Sequence, residues 1–305
     1  MDRITAYAPG SASNLGPGFD CLGVAFTGKG DRVVATIEGP AGVRVRAVSD
    51  PRIPTDASRN TAAIAATAVL RRARSTAGLE LEIEKGLPLA GGMGGSAASA
   101  VAGAVAANAL LGFGLGTSDL LEAALEAEEV VAGRHADNVA PSLLGGAVLV
   151  LGLDPPRLGP VRVHPSLALV LVSPSYQVET AQARAVLPAS IDRADAVAQA
   201  ARLAGLVLGL ERGDPDLIRG SMVDRIAEPA RAPLYPGYPE ARAAAFEAGA
   251  LGVAVSGAGP TVVALTLEDA MASVAQALEA AYRRLGIEAH AHPARVDHQG
   301  ARVLS

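Results

Sequence analysis

The chain has 305 residues, half of them apolar, with 31 acidic against 26 basic side chains for a net charge of −5. That length can bury one large core or two ordinary ones, and the lack of a basic block or of aromatics interleaved with basic residues argues against a nucleic-acid partner. A single cysteine, Cys21, excludes an intrachain disulfide and fits a reducing, cytoplasmic compartment, and the charged opening MDRITAYAPG lacks the apolar run of a secretion signal.

From the N-terminus, Arg3–Ala8, Arg32–Glu38 and Gly42–Val48 carry β-branched residues and predict strands. Asn60–Arg74 predicts an Ala-rich helix that stops near Gly78. Leu79–Lys85 alternates apolar and charged side chains, the pattern of a half-buried strand. A glycine-rich loop, Gly86–Gly95, then opens onto a long Ala-rich helix from Ser96 to about Leu111. Ser118 or Asp119 caps a further helix through Val131, and a short helix from Asp137 leads through Gly145-Gly146 to a strand over Ala147–Leu151. No charged residue occurs between Gly86 and Ser118, a span long enough to cross a bilayer. Its Ala, Gly and Ser content, with Pro88 and Asn108, gains little from lipid, so a buried helix and no membrane partner are expected.

The Pro-, Gly- and Asp-rich stretch Asp154–Pro160 reads as a boundary between domains of residues 1–155 and 156–305. Beyond it, Leu167–Val172, Gly252–Val255, Thr261–Thr266 and Ile287–His292 predict strands, and Thr180–Val186, Ala194–Leu210, Glu240–Ala248 and Asp269–Leu285 predict helices. The order strand, helix, strand, strand, helix, strand is that of a ferredoxin-like unit with added helices, so the fold class is α+β.

The strongest chemical signal is Pro88-Leu89-Ala90-Gly91-Gly92-Met93-Gly94-Gly95-Ser96-Ala97-Ala98, which runs straight into a helix. Glycines allow positive φ and close backbone approach, and the amides and dipole of a helix N-terminus favour an anion. Ser96 adds a hydroxyl suited to phosphate or to a phosphate-bound metal. Two other glycine patterns are weaker. Gly92, Gly94 and Ala97 match a dinucleotide fingerprint without its surrounding βαβ unit, and Gly23–Lys29 nearly matches a Walker A loop except that Gly30 replaces the Ser or Thr. The competing structural reading of the main loop is a tight turn before a core helix.

The loop resembles the central motif of the GHMP kinases (galactose, homoserine, mevalonate and phosphomevalonate kinases), Pro-x-x-x-Gly-Leu-Gly-Ser-Ser-Ala. Four co-linear segments resemble the homoserine kinases among them: Pro9–Asp20 (PGSASNLGPGFD), His135–Pro141 (HADNVAP), Glu228–Leu234 (EPARAPL) and Ser256–Thr261 (SGAGPT). The resemblance implies a two-domain fold, with an N-terminal nucleotide-binding domain and a ferredoxin-like C-terminal one. It implies ATP as co-substrate, Mg²⁺ as the metal and L-homoserine as the small-molecule substrate; a homodimer is the assembly considered, and the sequence does not give the oligomeric state. Gly95 stands where the motif carries its first Ser, whereas Ser96 keeps the second, the metal-associated hydroxyl.

Residue by residue, the resemblance implies a nucleotide site from Asn60 and from Pro88, Leu89, Ala90, Gly91, Gly92, Met93, Gly94, Gly95, Ser96, Ala97 and Ala98. It implies a metal site from Ser96 and Glu128, with Glu126 and Glu129 as rivals for the second ligand. The amino acid falls to Asn14, Asp20, His135, Thr180, Arg184, Arg231 and Gly257. Arg184 and Arg231 suit a carboxylate and Asp20 an ammonium, a set that favours an amino acid over a sugar. Asn138 and Asp137 fall nearest the reacting hydroxyl; the proton's route, to Asp137 or late to phosphate, is open at this point. Taken singly, several of these have plainer readings: Asp137 and Asn60 as helix caps, Asp20 as a turn residue, each Arg as a solvated charge. A kinase for another small alcohol and a non-catalytic metabolite sensor are the rival functions. The His290, His292 and His298 group reads as a strand and tail rather than a metal set.

Overall fold

The computed structural model describes residues 2–304. The first half contains β1 (Arg3–Asn14), β2 (Gly18–Ile37), β3 (Gly42–Val48), α1 (Thr61–Arg72), β4 (Gly78–Glu84), α2 (Gly95–Leu110), α3 (Thr117–Val131), α4 (Val139–Leu144), β5 (Ala147–Leu153) and β6 (Pro156–Val161). The second contains β7 (Leu167–Pro174), α5 (Thr180–Ala185), α6 (Arg193–Arg212), α7 (Pro215–Ser221), α8 (Ala227–Arg231), α9 (Tyr238–Glu247), β8 (Gly252–Val255), β9 (Val262–Leu267), α10 (Met271–Arg284), β10 (Ala289–Ala294) and β11 (Arg302–Leu304).

The first sheet runs β11-β1-β2-β4-β3, with the β5–β6 hairpin attached to the other end of β2. β2 is a single 20-residue strand, of which the sequence pattern exposes only the last third. Glycines and aromatics obscure its alternation, and pairing with β1 on one side and with β5 and β4 on the other keeps it extended. The near-Walker segment Gly23–Lys29 lies inside this strand and forms no loop. Gly23 is small for a packing reason: a Cβ there would sit 1.7 Å from the Asp137 carbonyl oxygen.

Helices α1, α2, α3 and α4 pack against one another and cover one face of the sheet. Their contact surfaces are mostly alanine, with Ala62, Ala63, Ala65 and Ala66 of α1 and Ala97, Ala98, Ala100 and Ala102 of α2 fully buried. Small side chains let helix axes approach closely, so the uncharged stretch is core. Among the described residues no helix is long and apolar enough to cross a membrane.

The second sheet has the order β10-β7-β9-β8, all antiparallel, as the ferredoxin-like reading requires. Both of its faces are buried. Leu169, Leu171, Val263 and Leu265 join the first core with Leu206 and Leu210 of α6, and Val170, Val172, Val253 and Val262 pack with α9 and α10 in a second core. The expected boundary between residues 155 and 156 falls in the turn of the β5–β6 hairpin, whose strands pair in the first sheet, Ala147 opposite Val161. The chain therefore leaves that sheet after Val161, and β11 brings it back beside β1, Thr5 opposite Leu304.

A cleft between a phosphate-type loop and a group of ions

A cleft of about 410 Å³ opens between the two halves. On one side lies the glycine-rich loop. Gly94 takes the left-handed conformation (φ 66°) and caps α2, so the amides of the first helical turn face outward at its N-terminus. Gly92 (φ 72°) is pressed against the second half, where a Cβ would meet the Ser256 carbonyl oxygen at 2.5 Å. Ser256 Oγ donates to the Gly92 carbonyl at 2.5 Å, and the Ser11 amide donates to the Met93 carbonyl at 3.2 Å. Pro88, Leu89, Ala90, Gly91, Gly92, Gly94, Gly95 and Ser96 line the cleft. Met93, Ala97 and Ala98 do not: their side chains belong to the core, and Met93 is the apolar anchor of the loop.

Asn60 also borders the cleft, but its side chain is engaged with the protein. Its Oδ1 accepts the Ala63 amide as the N-cap of α1, and its Nδ2 donates to the Pro54 carbonyl at 2.8 Å. The helix-cap reading of Asn60 therefore accounts for its polar atoms, and the neighbouring wall is built from Ile53, Pro54 and Val131.

Below Ser96, Glu128 projects from α3 and is 5% exposed. Its Oε1 is buried without a hydrogen-bond partner. Burial pushes its carboxyl up to about 7, the charge of Asp137 adds to the rise, and the Ser96 hydroxyl and Lys85 oppose it. Of its rivals, Glu126 is bound by Arg71 and Arg72, and Glu129 is exposed to solvent away from the cleft.

The opposite side of the cleft is polar. Asp20 (φ 57°) forms a two-point ion pair with Arg184 of α5, at 2.8 and 3.1 Å. These are the two groups expected at opposite ends of a zwitterion, and in this structure each neutralises the other. His135 Nδ1 lies 3.9 Å from Asp20, and desolvation holds its imidazole below the usual range. Arg231 is buried; its Nε donates to the Ala183 carbonyl at 2.8 Å and its Nη1 to the Gly257 carbonyl at 3.1 Å. The ring of Phe19 lies 5.0 Å from the Arg231 guanidinium and 5.9 Å from that of Arg184. Thr180, the first residue of α5, completes this wall.

Asn14 holds the corner. Its Nδ2 donates to the Gly257 carbonyl at 2.9 Å and its Oδ1 accepts the Asp20 amide at 3.1 Å. Asn138, and not Asp137, occupies the N-cap position of α4. Asn138 Oδ1 accepts the Ser11 hydroxyl at 2.9 Å and its Nδ2 donates to Ser13 Oγ at 3.0 Å. Asp137 is 4% exposed and lines the cleft. Burial raises its carboxyl to about 6, the charge of Asp20 adds to this, and Ser13 and Arg184 oppose it. Cys21 has no comparable role: burial and the charges of Asp137 and Asp20 raise its thiol to about 11.

Sequence reasoning overlooked Ser11, Ser13 and Phe19, which orient the predicted residues, and a buried set formed by Asp31, Lys85 and Ser99. The signal for that set is faint, a lone Asp and a lone Lys at the ends of apolar strand segments. The set lies close behind Gly95, where a Cβ would come within 3.3 Å of both Lys85 Nζ and the Pro88 carbonyl oxygen, a tight contact. The three C-terminal histidines do not converge. His292 Nε2 donates to the Thr27 carbonyl and its ring packs edge-on to Phe26, His290 pairs with the exposed Glu288, and His298 lies by Gly145.

The chain matches the family model for the GHMP kinases N terminal domain over residues 60–146 and that for GHMP kinases C terminal over residues 206–284. A homoserine kinase of Xanthomonas campestris pv. campestris (strain B100) is 40% identical over 310 residues, covering 100% of this chain and 95% of the relative. One of Chloroherpeton thalassium is 37% identical over 319 residues, covering 100% of both. Among solved structures, a homoserine kinase from Cytophaga hutchinsonii superposes with a TM-score of 0.96 at 40% identity, covering 100% of this chain and 98% of the other. A mevalonate kinase from L. major superposes with a TM-score of 0.72 at 17% identity, a likeness of fold alone.

Proposed function

The chain belongs to the homoserine kinases of the GHMP superfamily, and from that premise we propose which residues of the cleft carry the reaction. The activity is ATP-dependent phosphorylation of L-homoserine to O-phospho-L-homoserine, a step of threonine biosynthesis. The observation that carries the residue roles is that one cleft joins a glycine-rich helix N-terminus to a cluster of opposite charges.

In this reading the amides of residues 91–95 and the N-terminus of α2 hold the phosphates of ATP, with the base against Ile53, Pro54 and Val131. Ser96 and Glu128, whose Oε1 has no hydrogen-bond partner, fit Mg²⁺ and would hold it as a pair of hard oxygen donors. When bound, that ion supplies positive charge to the phosphate oxygens. Arg231 takes the substrate carboxylate, and its two bonds to backbone carbonyls hold the guanidinium plane still. Asp20 and Arg184 exchange part of their mutual pairing for the ammonium and carboxylate of the amino acid, with His135, Thr180, Asn14 and Gly257 shaping the pocket.

The hydroxyl lies by Asn138 and Asp137. The oxygen attacks the γ-phosphorus, its new P–O bond forms as the bond to the β-phosphate oxygen breaks, and ADP leaves. Asp137 receives the hydroxyl proton. It is the one carboxylate of the three in the cleft committed neither to an ion pair nor to the metal site, and its elevated range brings it close to neutral pH. Most of the acceleration then comes from positioning and charge neutralisation. The cytoplasm is part of the same reading, supported by the lone, unreactive Cys21.

Coupled ADP release tests this with L-homoserine against L-threonine, L-serine, galactose and mevalonate. ADP formed chiefly with homoserine is the expected result. Nucleotide binding without turnover on any of them would overturn it.

A further inference from the structure

We propose that Asp31 is a positioning residue for phosphoryl transfer: it pins the Lys85 ammonium beneath the first turn of α2, where that fixed charge faces the phosphates. The proposal rests on the reading of the cleft as a nucleotide site. Asp31 lies in β2 and is 0% exposed. Its Oδ1 accepts the Gly86 amide at 3.1 Å, and its Oδ2 accepts the Ser99 hydroxyl at 2.7 Å and the Lys85 ammonium. Lys85 Nζ also donates to the Gly95 carbonyl at 2.6 Å and to Ser99 Oγ at 3.0 Å. The lysine side chain is 7% exposed, and Lys85 and Ser99 both border the cleft.

A pair this deeply buried is a poor source of stability, because desolvation of both ions offsets most of their attraction. What the arrangement does achieve is to hold one positive charge in one place. All three N–H bonds of the ammonium are taken by the protein, so it cannot swing out into solvent. A charge fixed in a low-dielectric wall acts more strongly on a bound anion than a mobile surface lysine does, and needs no reorganisation when charge shifts. The same ammonium covers the Gly95 carbonyl, a partial negative charge beside the phosphates. Glycine at position 95 spares Nζ a tight contact, since a Cβ there would stand 3.3 Å from it. Asp31 touches no substrate; it acts through Lys85.

The test is titration calorimetry of ATP, ADP and adenosine with the wild-type chain, Lys85→Met, Asp31→Asn, the double variant and Ser99→Ala, with Tm measured for each. Lys85→Met is expected to weaken ATP and ADP about tenfold and to leave adenosine unchanged. Asp31→Asn should weaken ATP about fivefold although the lysine is still present, Asp31→Glu should restore part of the loss, and the double variant should be no worse than Lys85→Met. Ser99→Ala keeps both charges and removes the two hydrogen bonds of the Ser99 hydroxyl, one to each member of the pair, so it shows the same pattern at about twofold even if Asp31→Asn does not fold. Parallel losses for ATP and adenosine, or a change in Tm with ATP affinity intact, would overturn the role of Asp31. A wild-type chain that binds no nucleotide would instead overturn the reading of the cleft, and the proposal with it.

Discussion

Ser256 Oγ donates a 2.5 Å hydrogen bond to the carbonyl oxygen of Gly92, tying the phosphate-type loop of the first half to a glycine-rich loop of the second. Next to it, the Gly257 amide donates to the Ser13 carbonyl at 3.2 Å, and the Gly257 carbonyl accepts both Asn14 and Arg231. The glycine-rich wall and the Arg231 wall of the cleft are thus one hydrogen-bonded unit. A loop held from behind presents its amides without first having to order them, and such preorganisation lowers the entropy cost of binding.

Ser256→Ala removes the tie. It should raise KM for ATP about three- to tenfold and lower stability by about 1 kcal/mol, with KM for homoserine less affected. Gly92→Ala should be worse, because the new Cβ would press on the Ser256 carbonyl at 2.5 Å and the backbone there has positive φ. Steady-state kinetics and thermal melts of the two variants check this order.

Arg231→Ala should raise KM for homoserine by at least about tenfold, the loss of a charge-assisted, oriented contact to a carboxylate. It should also lower Tm, because the Ala183 carbonyl loses its arginine donor and the Gly257 carbonyl one of its two side-chain donors. Arg184→Ala should raise the same KM while affecting Tm less, since its partner Asp20 is about a third exposed. An unchanged homoserine KM in the Arg231 variant would count against the substrate pose.

Ser96→Ala and Glu128→Ala should act chiefly on kcat, by about a hundredfold, with KM for homoserine held within a few-fold. The expected readout includes the dependence on added Mg²⁺: the variants should need more of the ion for half-maximal activity.

Glu128→Gln should separate stability from activity. Burial raises the Glu128 carboxyl to about 7 from an ordinary 4.5, so the folded chain holds a proton there that the unfolded chain has already released. Stability from this group is therefore greatest below about pH 4.5 and is lost as pH rises towards about 7. Glutamine removes that loss. At pH 8 and without metal or nucleotide the variant should be more stable than the parent by about 2–3 kcal/mol, while turning over far more slowly. Denaturant melts at pH 5 and pH 8 read the difference.

Asp137→Asn should lower kcat by at least about a hundredfold. In the parent, kcat/KM should rise with pH through about 6 as Asp137 loses its proton, and the asparagine variant should lack that limb. A parent profile flat from pH 5 to 8, with a mildly affected variant, would point to proton loss late to the phosphate.

Much was legible in order along the chain. The helix over α1, the run from β4 through the loop into α2, and the ferredoxin-like order of the second half follow from local periodicity, caps and glycine placement. Local pattern failed where strand residues are glycine-rich or sit in a hairpin. The first two-thirds of β2 and all of β6 are extended only because neighbours pair with them, and β11 is a strand only because β1 is beside it.

At the site, sequence by itself determined which residue types meet: a glycine-rich helix start, a lone serine hydroxyl, two arginines and several carboxylates, each within a short recognisable segment. Only the tertiary structure decided what each one is free to do. It committed Asp20 to Arg184, Asn60 to the cap of α1, and Asn14 and Asn138 to the backbone and serines around them, while leaving Oε1 of the buried Glu128 without a hydrogen-bond partner. It also brought Asp31 and Lys85, 54 positions apart, under the loop. The physical reason is that a side chain's chemistry depends on burial and on partners within a few ångströms, and those are set by long-range packing, which short-range sequence does not encode.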